Sequence, residues 1–281
     1  VTVAGAINRE ADGATRSIIV RATSADNSFT EETFQIQIVD ADEFDVSTPT
    51  DSNAATNVVD ENVAIGTTVG ITANAFDLDA TTNAITYSLT DNPDGLFQID
   101  ANTGVVTTAA SINREVHGAN RSITVQATSS DGSTATQMFT IAINDLDEFD
   151  VTAISDTNAT VNSVAENAAN GTLVGITASA SDGDATTNGI TFTLDNSAGG
   201  RFAIDSATGV VTVADGSLLN YEAATSHGIV VRATSADGSF SVQNYTIQIT
   251  DVNESAISAI SDADNAADFV LENSTIGTVV G

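Results

Sequence analysis

Acidic residues recur at matching places along the 281-residue chain, and their spacing is suited to binding a metal ion. A Glu-Asn pair at Glu61 returns at Glu166 and again at Glu272, so the copies lie about 105 residues apart. A second motif, Asp-x-Asp, occurs at Asp77 and again at Asp182. A period of this length is about the size of one small domain. The sequence therefore predicts tandem copies of one domain, each with the same set of carboxylates.

Five acidic motifs recur along the chain, and each lies where a strand pattern breaks rather than inside it. They are the Glu of Glu-Asn, the Asp-x-Asp pair, the Glu of Asn-Arg-Glu, the Asp of Ser-x-Asp-Gly, and the acids of Asp-x-Asp-Glu. Together they hold more than half of the 38 acidic residues. Calcium accepts six to eight oxygen ligands without strict geometry. Because unit charges about 4 Å apart repel by roughly 4 kcal/mol at a dielectric of 20, gathered carboxylates favour a cation between them.

The composition excludes several classes of protein. Seven Lys plus Arg against 38 Asp plus Glu give a net charge of −31, which argues against binding nucleic acid or an anionic membrane. Cysteine is absent, so neither disulfides nor thiolate metal sites are available. No apolar run is long enough for direct membrane insertion. We expect no enzyme, because the acid pairs repeat in every copy, as structural parts do.

Short strand patterns separated by turns dominate each copy, and we find no convincing helix. Phe139, Ile141 and Ile143 alternate with smaller or polar residues, as half-buried strands do. The strand candidates are 58–59, 69–75, 85–89, 97–99, 105–107, 123–127 and 139–143. This pattern predicts an all-β fold of tandem seven-stranded Greek-key β-sandwiches in an elongated array. The predicted domains are a partial repeat at 1–45, complete repeats at 46–150 and 151–255, and a partial repeat at 256–281.

The order and spacing of these motifs resemble the cadherin repeat, in particular the cadherin-like tandem repeats of large bacterial surface and secreted adhesin-type proteins. The resemblance covers the whole chain and implies calcium ions bound between successive repeats. For a first cluster it implies the ligands Glu10, Asp40, Asp42, Glu43, Asp77, Asp79 and Asp131. For a second cluster it implies Glu61, Glu115, Asp145, Asp147, Glu148, Asp182, Asp184 and Asp237. For a third cluster it implies Glu166, Glu222, Asp251, Asn253 and Glu254.

Departures from the family pattern affect the expected ion number. The family's Asp-Arg-Glu is replaced by Asn-Arg-Glu at Asn113 and by Asn-Tyr-Glu at Asn220, so one carboxylate per cluster becomes a neutral amide. Linker positions that carry Asn in the family hold Phe44 and Phe149, which could ligate only through a backbone carbonyl. We therefore expect two to three calcium ions per complete cluster.

The resemblance implies a calcium-binding structural and adhesion region on the cell surface or in a secreted protein. Calcium would rigidify an extended extracellular arm that presents adhesive or enzymatic ends. One alternative is a binding module, in which the repeats contact other repeats, cell-surface proteins or polysaccharide. Another is an accessory region of a secreted hydrolase.

Overall fold

The computed structural model describes residues 1–255, 257–263, 265 and 267–280, and these form strands, loops and single helical turns. They divide into two compact units. Unit 1 comprises Val1–Thr152, Ser181–Ile190 and Thr234–Phe240, and unit 2 comprises Ala153–Ala180, Thr191–Ala233 and the described residues from Ser241 onward. Within the described residues, no helix has the length and apolar character needed to cross a lipid bilayer.

Unit 1 contains a two-stranded hairpin followed by two four-stranded sheets. Its strands are β1 Thr15–Thr23, β2 Phe29–Gln37, β3 Thr50–Asp51, β4 Val58–Asp60, β5 Thr68–Asn74, β6 Ile85–Asp91, β7 Phe97–Ile99, β8 Val105–Thr108, β9 Asn120–Ser129 and β10 Thr134–Asn144. Its helical turns are α1 Arg9–Asp12, α2 Arg114–His117 and a 3₁₀ turn at Pro93–Gly95. The hairpin pairs β1 with β2, and the sheets have the orders β4-β10-β9-β6 and β3-β5-β8-β7.

The two sheets of unit 1 bury an aliphatic core between them. Alternate residues of β9 and β10 point inward, and Ile123, Val125 and Ile141 are completely buried. Val69 and Val106 contribute from the other sheet. Strand β4 pairs parallel with β10, whereas β9 pairs antiparallel with both β10 and β6. These pairings form a Greek-key β-sandwich, which confirms the predicted fold class. The sandwich has eight strands rather than the predicted seven, because β3, only two residues long, is too short to show an alternating pattern.

Unit 2 repeats this arrangement. Its strands are β11 Ser155–Asp156, β12 Ser163–Ala165, β13 Leu173–Ser179, β14 Thr191–Asn196, β15 Phe202–Ile204, β16 Val210–Val213, β17 Ser226–Thr234 and β18 Phe240–Thr250, with a 3₁₀ turn at Gly216–Leu218. The turn that joins β17 to β18, with one residue of each strand, belongs to unit 1. The sheet orders are β11-β13-β16-β15 and β12-β18-β17-β14.

The hairpin turn between β7 and β8 brings the backbone unusually close to β5. Asp100 accepts hydrogen bonds from the amides of Asn102 and Thr103 at 3.0 and 2.8 Å, which closes the turn. Gly104 ends it at a φ of +69°, where a Cβ would lie 2.1 Å from the carbonyl oxygen of Ala73. Only glycine fits there without strain.

Every predicted strand overlaps an observed one, from 58–59 in β4 to 139–143 in β10. The helical turns α1 and α2 were not predicted. Each is capped by an asparagine, Asn8 or Asn113, whose side chain accepts an amide hydrogen bond from the first turn. A single four-residue turn is too short to produce a helical hydrophobic pattern. The repeat boundaries at 46 and 151 stay predictions, and the boundary at 256 falls on a residue outside the described part of the chain.

Candidate metal centre

The second cluster brings three glutamates together inside unit 1. Carboxylate oxygens of Glu61, Glu115 and Glu148 lie within 4.8 Å of one another. Glu61 is completely buried, and its Oε2 and Oε1 accept hydrogen bonds from the amides of Arg114 at 2.6 Å and Leu146 at 2.8 Å. These two bonds hold the Glu61 carboxylate toward the other two.

Three aspartates form an adjoining group in the same unit. Oxygens of Asp147, Asp184 and Asp237 lie within 4.8 Å of one another. Asp184 is 1 % exposed, and its Oδ1 accepts a hydrogen bond from the amide of Glu148 at 3.1 Å. Asp237 lies in the turn between β17 and β18, where its Oδ1 accepts the amide of Ser239 at 2.7 Å. One linker, 145–148, thus contributes to both groups.

The turn α2 places Glu115 in the glutamate group. The Asn113 Oδ1 accepts the amide of Val116 at 2.8 Å and starts the turn. Glu115 follows in the first turn, and its Oε1 accepts the amide of Ala185 at 3.1 Å. Asn113, which stands where the family pattern has an acid, therefore caps the turn that carries Glu115.

Several buried oxygens of the second cluster find no hydrogen-bond partner in the part of the chain that the structure describes. They are Glu115 Oε2, Asp145 Oδ1 and Asp237 Oδ2. The Asp145 side chain is 8 % exposed, its Oδ2 accepts the amide of Thr186 at 2.7 Å, and its Oδ1 lies 3.9 Å from Arg114 Nε. Buried polar groups without partners are costly. A hard cation with oxygen ligands fits this donor set, since it would satisfy these oxygens and reduce their mutual repulsion.

The first cluster has the same construction in unit 1. Its two groups of oxygens within 4.8 Å are Glu10, Glu43 and Asp79, and Asp42, Asp79 and Asp131. Asp79 is 1 % exposed and belongs to both groups. Glu10 Oε2, Asp40 Oδ1 and Asp131 Oδ2 are again buried and lack a hydrogen-bond partner among the described residues, and Asp40 Oδ1 lies 4.0 Å from Arg9 Nε. The same unpaired atoms therefore recur at equivalent positions.

The third cluster lies in unit 2 and has one group of three. Oxygens of Glu166, Glu222 and Asp251 lie within 4.8 Å of one another. Glu166 is 2 % exposed and accepts the amides of Tyr221 and Val252, each at 2.8 Å, as Glu61 does in unit 1.

Six predicted ligands lie outside these groups of three carboxylates: Asp40, Asp77, Asp145, Asp182, Asn253 and Glu254. Asp77 accepts hydrogen bonds on both oxygens, from the amide of Asp79 at 3.0 Å and from the hydroxyl of Ser129. Asp182 is bonded in the equivalent way. The Glu254 Oε1 accepts from the side-chain amide of Asn167. These bonds hold the loops in place, and the ligand role of all the predicted residues, these six included, stays a prediction.

Two of the three acids in linker 145–148 have raised pKa values, whereas desolvation at Asp145 is outweighed by hydrogen bonds, chiefly those from Thr186, which lower its pKa. Desolvation raises the pKa of Asp147, and the carboxylates of Asp237 and Asp184 raise it further. Desolvation, followed by the charges of Glu61 and Glu115, likewise raises the pKa of Glu148. The equivalent linker acids of the first cluster shift in the same direction. Raised pKa values are the expected result of gathering negative charges without a cation.

Sequence reasoning missed the side chains that brace the carboxylates. The Asn62 amide donates to Glu148, and Thr186 donates its hydroxyl and amide to Asp145. A signal for Thr186 was present, because the run Asp-Ala-Thr-Thr-Asn occurs at 79–83 and again at 184–188. Recurrence of neutral residues beside the acids marks the loop that orients them.

Comparison with known proteins shows what the chain resembles. Residues 56–144 and 160–250 each match the cadherin domain family. Human protocadherin Fat 4 is 32 % identical over 178 residues, which cover 62 % of this chain and 4 % of that protein. Chicken cadherin-7 is 41 % identical over 97 residues, which cover 34 % of this chain and 12 % of that protein. The chain thus spans only a small part of these relatives.

Solved structures show the same fold. Repeats EC22-24 of mouse cadherin-23 are 24 % identical, with a TM-score of 0.64 and coverage of 88 % of this chain and 77 % of that one. The extracellular domain of protocadherin GammaB4 is 23 % identical, with a TM-score of 0.70 and coverage of 89 % and 39 %. These relatives are animal proteins, and the expected bacterial origin stays a prediction. Two tandem matches span more than half of the described sequence, so the chain belongs to the cadherin domain family.

Proposed function

We propose that the chain is a calcium-binding structural region of an extracellular protein, in which bound calcium fixes the arrangement of successive repeats. The observation that carries this proposal is the set of buried, unpaired carboxylate oxygens that recurs in the first and second clusters. A charge pair such as Glu61 and Glu115, at the 4.8 Å limit of the group, repels by about 3.5 kcal/mol at an effective dielectric of about 20. A divalent cation bound between the two carboxylates would attract both of them, and this attraction would outweigh their mutual repulsion.

Calcium would act by joining loops to the linker within unit 1. The carboxylates of Asp184 and Asp237 come from segments 181–190 and 234–240, whereas Glu61 and Glu115 come from the first complete repeat. An ion shared by these groups would tie the segments to linker 145–148. Extracellular calcium sites have affinities of about 10⁻⁴ to 10⁻³ M, so calcium near 1 mM would stabilise each site by roughly 0.4 to 1.4 kcal/mol.

Calorimetric titration combined with small-angle scattering tests the proposal. We expect calcium to bind with a stoichiometry of two to three ions per complete cluster, and magnesium to bind more weakly because it demands near-octahedral geometry. We also expect the scattering profile to shift to a single, stiffer arrangement in millimolar calcium. Heat changes at the level of buffer dilution would refute calcium binding, and an unchanged maximum dimension would refute the stiffening.

Contact with other cadherin repeats is a second candidate function. It is supported by the structural similarity to protocadherin gammaB7 EC3-6, whose structure is described as a cis-dimer, with a TM-score of 0.70 at 16 % identity. Weak contacts repeated along a chain can give useful avidity. Sedimentation velocity in calcium tests this, since self-association must raise the weight-average mass with protein concentration.

A further inference from the structure

The ring of Phe149 lies directly against the backbone of an acidic loop. A Cβ placed on Gly183 would lie 2.9 Å from the Phe149 Cγ and 3.2 Å from each of its Cδ atoms. The φ of Gly183 is not in the positive range that favours glycine, so it is the approach of the ring that excludes a side chain there. Both residues belong to unit 1.

The same residue also holds the loop by its backbone. The amide of Phe149 donates to both carboxylate oxygens of Asp184 at 3.4 Å, and the amide of Glu148 donates to Oδ1 at 3.1 Å. Gly183 lies between Asp182 and Asp184 in the sequence. Residue 149 therefore touches the loop twice, with its ring over Gly183 and its N–H on the buried carboxylate that joins the aspartate group.

The first cluster provides a natural comparison. Phe44 stands where Phe149 stands, and its amide donates to Asp79 at 3.4 Å. Leu78 replaces Gly183 in that loop and is 58 % exposed. Since a Cβ at this position would collide with a ring placed as Phe149 is placed, the ring of Phe44 cannot lie over its loop in the same way.

We propose that Phe149 is a positioning residue that clamps the 182–184 loop and so raises the calcium affinity of the second cluster. This inference rests on the proposed function. Its physical basis is preorganisation: ligands that are already held in place lose less conformational freedom when the ion binds. A phenyl ring offers calcium no oxygen ligand, so its effect would pass through the placement of Asp184.

Variants of the two contacting residues test the clamp. Phe149→Ala removes the ring, Gly183→Ala displaces it, and Phe149→Tyr keeps a ring of the same shape. Phe269→Ala removes a phenylalanine that is 67 % exposed outside the cluster and serves as the matched control. The affinities are measured by nuclear magnetic resonance titration with calcium. The amides of Glu148 and Asp184 report the second cluster.

We expect Phe149→Ala and Gly183→Ala to weaken calcium binding at the second cluster by about 10-fold, the lower end of the range for residues that orient metal ligands. Phe149→Tyr should keep the calcium affinity of the unmodified chain. In every variant, the amides of Glu43 and Asp79 in the first cluster should respond to calcium as they do in the unmodified chain. Equal affinity of all variants at the second cluster would overturn the clamp while leaving calcium binding intact. An unmodified chain whose amides do not respond to calcium would instead refute the proposed function, and the clamp with it.

Discussion

Replacing Glu115 with glutamine should change the stability of the chain in opposite directions with and without calcium. The Glu115 Oε1 accepts the amide of Ala185 at 3.1 Å, a bond that a glutamine oxygen can also accept. Its Oε2 is buried without a hydrogen-bond partner among the described residues and lies in the group with Glu61 and Glu148. Glu115→Gln therefore removes one negative charge while keeping the size of the side chain and its backbone bond.

The magnitudes follow from the distances in the glutamate group. Without calcium, the variant loses the repulsion between Glu115 and Glu61, about 3.5 kcal/mol at 4.8 Å and an effective dielectric of about 20 before solvent screening. Glu115 is half-buried, so we expect a net stabilisation of about 1 to 2 kcal/mol. With calcium, a ligand is lost, and a tenfold weaker ion costs about 1.4 kcal/mol.

Urea unfolding, monitored by circular dichroism, measures the free energy of unfolding once in excess chelator and once in saturating calcium. Glu32→Gln is the matched control, because it changes the net charge equally at an exposed position of β2 that belongs to none of the carboxylate groups. We expect Glu115→Gln to raise the free energy of unfolding in chelator and to lower it in calcium. A shift of the same sign in both conditions would show that repulsion and ion binding at this group are not the opposing forces described above.

Three further predictions concern the sandwich itself. Ile141→Ala removes a completely buried side chain and should lower the free energy of unfolding by about 2 to 5 kcal/mol, as measured with urea. By the same assay, Gly104→Ala should lower the free energy of unfolding by more than about 2 kcal/mol, because its Cβ would meet a backbone oxygen. Gly132→Ala, at a φ of +101° in open space, should lower it by only about 1 to 2 kcal/mol. The hydrogen bond from Arg232 lowers the pKa of Asp195, so this pair stabilises the fold above about pH 4 and loses that effect as the pH falls through the lowered pKa. Thermal unfolding of Asp195→Asn should thus show a deficit at neutral pH that disappears in acid, and a deficit independent of pH would contradict this assignment.

The seven predicted strands were readable from the sequence because each has buried residues on one face, whereas β1 and β2 have no buried residue and were not predicted. Ile123 and Val125 are buried and alternate with partly exposed neighbours in β9, so the core takes the apolar set. The composition of the five carboxylate groups was also predictable, since recurrence in register marks residues with one role. Glu61, Asp79 and Asp184 stand among the predicted ligands, and the structure shows each of them buried.

What the sequence did not reveal depends on contacts between segments distant in the chain. Nothing in the Asp-x-Asp pattern indicates that both oxygens of Asp77 accept hydrogen bonds, from Ser129 and Asp79. Nor does it indicate that Asp79 belongs to two of the carboxylate groups. The approach of Phe149 to Gly183 was likewise invisible, because an aromatic residue in a linker carries no periodic signal. Such contacts are set by tertiary packing rather than by local preference.

A crystal structure determined in calcium tests the central claim most directly. In the second cluster we expect ions with six to eight oxygen ligands at about 2.3 to 2.6 Å. Their ligands should include Glu115 Oε2, Asp145 Oδ1 and Asp237 Oδ2, the oxygens that no donor among the described residues satisfies. Density showing only water molecules hydrogen-bonded to these three atoms, with the carboxylates turned apart, would contradict calcium binding by this cluster.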